Sequence, residues 1–173
     1  MAVQHKNIRL RSASYIGRRS YFVTLCCAAR RPIFANSNRA TWVIENLRKQ
    51  SVAYRFGVHA FCAMPDHFHV LLTGLDPNSN LLSFLRNLKQ TTGHEYLKRF
   101  HNVLWQKKFY DHILRPWDNA ARIAGYIWMN PVRKGICDDP QDYPYSGSFM
   151  FDWKKAISPV ESWVPDWKTK APA

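Results

Sequence analysis

The stretch that most constrains the fold runs from Val58 to Thr73. Two short apolar runs, Val58 to Met64 and His67 to Thr73, flank the dipeptide Pro65-Asp66. Two strand-forming runs split by two turn-forming residues predict a β-hairpin, whose strands pair antiparallel. If the two-residue turn sets the register, Cys62 faces His69 and Met64 faces His67. Side chains alternate along a strand, so His67 and His69 project from one face with Cα atoms about 6.6–6.8 Å apart. Phe68, Val70 and Leu72 take the other face and can join Phe61 and Ala63 in a core.

Around this hairpin the apolar period switches between two and 3.6. Tyr21-Phe22-Val23-Thr24-Leu25 reads as a strand and ends at Arg30-Arg31-Pro32. From Arg39, the positions Trp42, Val43, Leu47 and Val52 recur at helical spacing as far as Phe56-Gly57, where glycine is expected to stop the helix. A loop from Gly74 to Asn80 precedes a second helix marked by Leu81, Leu85, Leu88 and Thr92, with Arg86, Lys89, Lys98 and Arg99 around it. Phe109 to Leu114 reads as a strand. Pro116 is expected to open a third helix that runs to about Asn130 and is ended by Pro131. The order β-α-β-β-α-β-α predicts an α+β fold: a ferredoxin-like βαββαβ sandwich with an antiparallel sheet and one additional C-terminal helix. A basic arm over 1–19, a domain over 20–139 and a tail over 140–173 packing on or near it complete the expected organisation.

The charge narrows the partners. Lys and Arg number 25 against 12 Asp and Glu, a net +13. Such an excess attracts polyanions by neutralising phosphates and releasing counterions, so nucleic acid is the first partner to consider beside a merely basic soluble surface. The four cysteines, Cys26, Cys27, Cys62 and Cys137, have no Cys-x-x-Cys spacing, which indicates neither a zinc ribbon nor a disulfide framework. The apolar runs are far shorter than the roughly 20 residues that span a bilayer, and the N-terminus has no signal-peptide apolar region, so a cytoplasmic location is expected.

His-x-His on a strand is by itself a weak metal signal, because two histidines on a solvated face need bind nothing. Cys62 could make the site softer, but no second Cys or His falls near it in the hairpin. On a helical wheel for the third helix, Ala120, Ile123, Ala124 and Ile127 form the apolar stripe. Arg122, Tyr126 and Asn130 fall together on another side, since residues four apart are neighbours on a helix. An amide oxygen is a hard ligand, so two histidines with Asn130 would suit Mg2+ or Mn2+. A tyrosine beside a metal can serve as a nucleophile if its deprotonation is assisted. It can equally be a ring at the edge of the core.

Met64-Pro65-Asp66-His67-Phe68-His69-Val70-Leu71 and Gly125-Tyr126-Ile127-Trp128-Met129-Asn130-Pro131-Val132-Arg133-Lys134-Gly135 together resemble the single-tyrosine HUH transposases, in particular the branch called REP-associated tyrosine transposases. Tyr21 to Leu25 with Arg30-Arg31-Pro32, Trp105 to His112, and Asp142-Tyr143-Pro144-Tyr145-Ser146 are similar to the same branch, over roughly residues 18 to 150. The resemblance implies that His67 and His69 bind a divalent metal, Mg2+ or Mn2+, that Tyr126 is the nucleophile, and that Asn130 stands where a third polar ligand belongs. Insertion-sequence relatives often carry Gln there; Asn130 fits the REP-associated branch. It also implies cleavage and strand transfer on single-stranded or hairpin DNA through a 5′-phosphotyrosine. A monomer is expected, with a homodimer as the second form.

Arg18, Arg19, Arg86, Lys89, Lys107, Lys108 and Arg122 are the candidate phosphate contacts, with Lys98 and Arg99 on the second helix and Arg9 and Arg11 in the arm. Tyr110, beside Asp111 and His112, is the rival nucleophile, although nothing near it in the sequence supplies a metal or phosphate cradle. The alternative from another class is a ferredoxin-like module that binds nucleic acid without chemistry, which needs aromatics on an open sheet face. A two-metal nuclease needs clustered acids, and the twelve here are scattered.

Overall fold

A computed structural model describes residues 12–157 and 164–169. Its main elements are β1 (Ser20–Cys26), α1 (Ser37–Ala53), β2 (Phe56–Met64), β3 (His67–Gly74), α2 (Leu81–Phe100), β4 (Tyr110–Ile113), α3 (Ala120–Trp128), α4 (Asn130–Arg133), β5 (Ser146–Gly147), α5 (Trp153–Ala156) and α6 (Asp166–Thr169). All strands pair antiparallel in the order β4-β1-β3-β2-β5. The first four reproduce the predicted ferredoxin-like sandwich. The Pro65-Asp66 turn sets the expected register, Cys62 opposite His69 and Met64 opposite His67.

Strict alternation makes β1 a two-faced core strand. Tyr21, Val23 and Leu25 join Phe61, Ala63, Phe68, Val70 and Leu72 beneath α1 and α2. On the opposite face, Phe22, Ala60, Cys62, Met64 and Leu71 pack against Ile123, Ala124, Ile127 and Trp128 of α3. Each buried Leu, Ile or Phe in these layers contributes roughly 1.5–3 kcal/mol relative to exposure. The histidine face of the sheet is therefore covered by a helix. The open aromatic platform that a base-stacking module requires is not formed there.

Several element ends differ from expectation. Gly57 does not stop α1; it lies inside β2, and the reversal falls on Arg55, whose backbone is left-handed at φ 58°. That conformation costs a non-glycine residue about 1–2 kcal/mol. It is offset by local bonds: Leu75 N and Ser79 Oγ both donate to Arg55 O at 2.8 Å, and the Arg55 guanidinium holds Asp76 at 2.8 Å. Val52, read as part of the apolar stripe, is 74% exposed. Pro116 does not open α3, because Arg115 to Asp118 make a turn and the Asn119 side chain accepts Arg122 N, which caps the helix. The helix ends at Trp128, and Pro131 occupies the first turn of α4, where a missing N–H costs nothing.

The chain beyond residue 140 supplies the fifth strand. Ser146–Gly147 pairs with Phe61 and Cys62, Tyr143 OH donates to Ala63 O at 2.7 Å, and Trp128 Nε1 donates to Gly147 O at 3.0 Å. In α6, Trp167 stacks on His112 at 3.7 Å. Arg9 and Arg11 lie outside the described residues. No helix among the described residues is long and apolar enough to cross a membrane.

Candidate active site

The centre of the site is the start of β3. His67 and His69 are 6% and 4% exposed, and their Nε2 atoms stand 3.0 Å apart. Each opposite ring nitrogen is engaged. His67 Nδ1 pairs with Asp66 Oδ1 at 2.6 Å, and Asp66 Oδ2 takes Arg30 Nε at 3.0 Å. His69 Nδ1 pairs with Thr24 Oγ1 at 2.8 Å, a contact made possible because β1 places Thr24 directly opposite His69. Groups of this kind fix imidazole orientation in metal sites and leave Nε2 to bind. Asp66 was legible as the neighbour of His67; Thr24 had no signal in the sequence, because cross-strand pairing alone brings it there.

The two Nε2 atoms, 3.0 Å apart with both Nδ1 atoms engaged elsewhere, are nitrogen donors that could hold one divalent ion together. Among the described residues no third His, Cys, Asp or Glu completes a metal-binding group. Cys62 faces His69, but burial pushes its thiol up to about 12, which disfavours the thiolate a soft site would use. Asn130, the third residue that the sequence singled out, follows α3 as the first residue of α4. Asn130 is 5% exposed and its Nδ2 has no hydrogen-bond partner among the described residues, a state that costs a buried amide about 1–3 kcal/mol. A half-turn of the amide exchanges Oδ1 for Nδ2 at that position.

Helix α3 brings Tyr126 to the pair. Its ring lies 6.4 Å from that of His69 and 6.3 Å from that of Phe22. Met129, at φ −78° and ψ −3°, ends α3 and joins it to α4, which Asn130 opens. Sequence reasoning did not single out Arg133. Its guanidinium sits 4.0 Å over the Tyr126 ring and donates to Tyr126 O at 2.6 Å. The seven-residue spacing, two helical turns, was the available signal.

Tyr110 needs a correction. The register aligns Tyr110 with Thr24, and Thr24 with His69, so the rival tyrosine shares the histidine face and the same cross-strand row. The sequence neighbours of Tyr110 had suggested no such proximity. Burial, with Asp111 adding to it, pushes its phenol up to about 12, which makes it harder to deprotonate.

The basic residues divide by location. Arg122 is exposed one turn before Tyr126, and Lys107 and Lys108 are exposed just before Tyr110, beside the histidine end of the sheet. Arg18 and Arg19 precede Ser20, which pairs with Thr73 at the other end, about 20 Å away at 3.3 Å per residue. Arg86 is exposed on α2, on the sheet face opposite the histidines. The Lys89 ammonium donates to Gln106 O and Lys107 O at 2.8 and 2.9 Å, which ties the loop before β4 to α2.

Comparison with known proteins identifies the family. The family described as "Transposase IS200 like" matches residues 16–127. A Haemophilus influenzae protein named as a REP-associated tyrosine transposase is 32% identical over 130 residues, covering 68% of this chain and 73% of its own. The REP-associated tyrosine transposase of Escherichia coli is 28% identical over 112 residues, 64% of each chain. Among solved structures, a REP-associated tyrosine transposase bound to a REP hairpin superposes with a TM-score of 0.72 at 22% identity, over 93% of this chain and 92% of that one. A Deinococcus radiodurans protein described as a transposase reaches 0.50 at 20% identity, over 69% and 94%. On the extent of the family match and the 32% relative, the chain belongs to the IS200-like transposase family, the single-tyrosine HUH group that includes the REP-associated branch.

Proposed function

We propose that this protein cleaves and rejoins single-stranded DNA beside hairpins, with Tyr126 as the nucleophile and a divalent metal as cofactor. The observation that carries the reading is the convergence of His67 Nε2 and His69 Nε2 at 3.0 Å, under the helix that presents Tyr126. His67, His69 and Asn130 would hold Mg2+ or Mn2+. When bound, the ion supplies charge stabilisation at a non-bridging phosphate oxygen. Tyr126 Oη forms a bond to phosphorus as the bond from phosphorus to the 3′ oxygen breaks. The phenol proton is lost to solvent, and the departing oxygen takes up a proton to become a free 3′-hydroxyl. The DNA is left as a 5′-phosphotyrosine ester. Attack by the 3′-hydroxyl of a second strand reverses the step and rejoins DNA without ATP, since the bond energy is retained in the ester. Arg122, Lys107 and Lys108, around the histidine end, are suited to phosphate contacts that position the strand. The hairpin carried by the structural relative supports a hairpin substrate here, and a monomer is the expected working form.

The test is adduct formation. Wild-type protein, Tyr126→Phe and Tyr110→Phe are each incubated with hairpin oligonucleotides bearing single-stranded extensions, in Mg2+ or Mn2+, and resolved on denaturing gels. Wild type and Tyr110→Phe give a DNA-linked protein band and Tyr126→Phe gives none. A band from Tyr126→Phe overturns the nucleophile assignment; no band from wild type in either metal overturns the activity.

A further inference from the structure

At the histidine end of the sheet, but in the helix layer on its far side, a cleft of about 200 Å3 opens between the first turn of α1 and the last turn of α2. Its walls carry Arg39, Trp42, Glu95, Tyr96, Arg99 and Phe100. The Arg39 guanidinium lies 4.4 Å over the Phe100 ring and 5.7 Å from that of Tyr96, and the Arg99 guanidinium lies 5.4 Å from Phe100. Neither arginine has an ion-pair partner among the described residues. The single acid, Glu95, accepts Trp42 Nε1 at 3.1 Å through one oxygen. Phe100 remains 37% exposed.

The location is set by backbone bonds. Phe34 N donates to Pro65 O at 2.9 Å, so the segment entering α1 abuts the turn that leads into His67. Ala28 N donates to Leu104 O at 2.8 Å, which brings the chain leaving α2 to the end of β1, where Cys26 pairs with His67. Arg30 pairs with Asp66 in the turn before His67.

We infer that this cleft binds one nucleotide unit of the single strand flanking the hairpin, its base stacked on the aromatic and guanidinium planes and its phosphate held by Arg39 and Arg99. Aromatic faces beside unpaired cations are what sequence-tolerant binding of single strands uses. The second Glu95 oxygen can accept from the exocyclic amine of a cytosine or adenine, which gives such bases an advantage. The inference rests on the proposed DNA substrate but not on the chemistry at Tyr126.

Binding is measured by fluorescence anisotropy in the Tyr126→Phe protein, which holds DNA without cleaving it. Three probes are compared: a blunt hairpin, and the same hairpin with a 5′ or a 3′ extension. One extension should tighten binding, and Arg99→Ala, Phe100→Ala and Arg39→Ala should each remove that gain, at least about fivefold, while leaving the blunt hairpin unchanged. Replacing both arginines should lower the salt slope on the extended probe by about 1.4. Arg99 and Phe100 are exposed, so those variants fold even if Arg39→Ala does not. Equal weakening on all three probes, no weakening, or no gain from either extension overturns the cleft. Adduct formation by wild type is scored separately: its absence with extension-dependent binding intact removes the proposed chemistry and leaves the cleft.

Discussion

Asp66 joins Arg30 to His67, with one carboxylate oxygen 3.0 Å from Arg30 Nε and the other 2.6 Å from His67 Nδ1. The carboxylate fixes the ring that presents Nε2 to His69. Asp66→Ala is expected to lower Mn2+ affinity by about 10–100-fold, the usual cost of losing an orienting partner behind a metal-binding histidine. Titration calorimetry reads this directly, and unchanged affinity would show that His67 is held by packing alone.

Arg133 spans the Tyr126 ring at 4.0 Å and bonds its carbonyl. Removing it frees a ring whose aim matters, because a misplacement of about 1 Å can cost about 100-fold in rate. Arg133→Ala is expected to slow adduct formation at least tenfold with hairpin affinity unchanged, and Arg133→Lys, which lacks the planar fork, to restore little of the rate. A loss confined to affinity would place Arg133 in DNA binding instead.

His59 gives a pH dependence to stability. Burial holds its pKa below the ordinary value of 6.5, and its Nε2 meets Thr73 Oγ1 at 2.9 Å. The unfolded chain therefore binds the proton at higher pH than the folded one. Stability present above about 6.5 is lost as the pH falls through that value towards the lower folded pKa. Thermal melts between pH 7.5 and 5 should fall more steeply for wild type than for His59→Gln. Parallel curves would sink the assignment.

Thr92 stabilises the far core through one hydroxyl. It accepts Trp105 Nε1 at 2.8 Å and donates to Leu88 O at 2.6 Å, with Thr92 fully buried. Thr92→Val leaves the buried indole N–H unpaired and is expected to cost about 1–3 kcal/mol in urea unfolding, whereas Thr92→Ser should recover most of that. An unchanged stability in Thr92→Val would show that the hydroxyl contributes nothing.

Much of the fold was legible because it rests on local rules. Pro65-Asp66 leaves room for only a two-residue turn, so the facing of Cys62 to His69 followed from the hairpin alone. The helix ends were less legible. Arg55 rather than Gly57 takes the left-handed position because the Gly74-to-Asn80 loop returns to bond its carbonyl, and Asn119 rather than Pro116 starts α3 because its side chain can accept a backbone N–H. The fifth strand was not visible at all, since two residues carry no period.

At the site the division is sharper. Spacing along the chain determined that His67 and His69 share a face and that Tyr126 and Asn130 share another, because strand and helix periods are properties of the backbone. Tertiary structure alone decided that Tyr126 reaches His69, that Thr24 lies behind His69, that Arg133 covers Tyr126, and that Tyr110 shares the histidine row. Those relations depend on which strands pair and which helix covers them. Burial of apolar surface distributed over the whole chain chooses that arrangement, and no short motif encodes it.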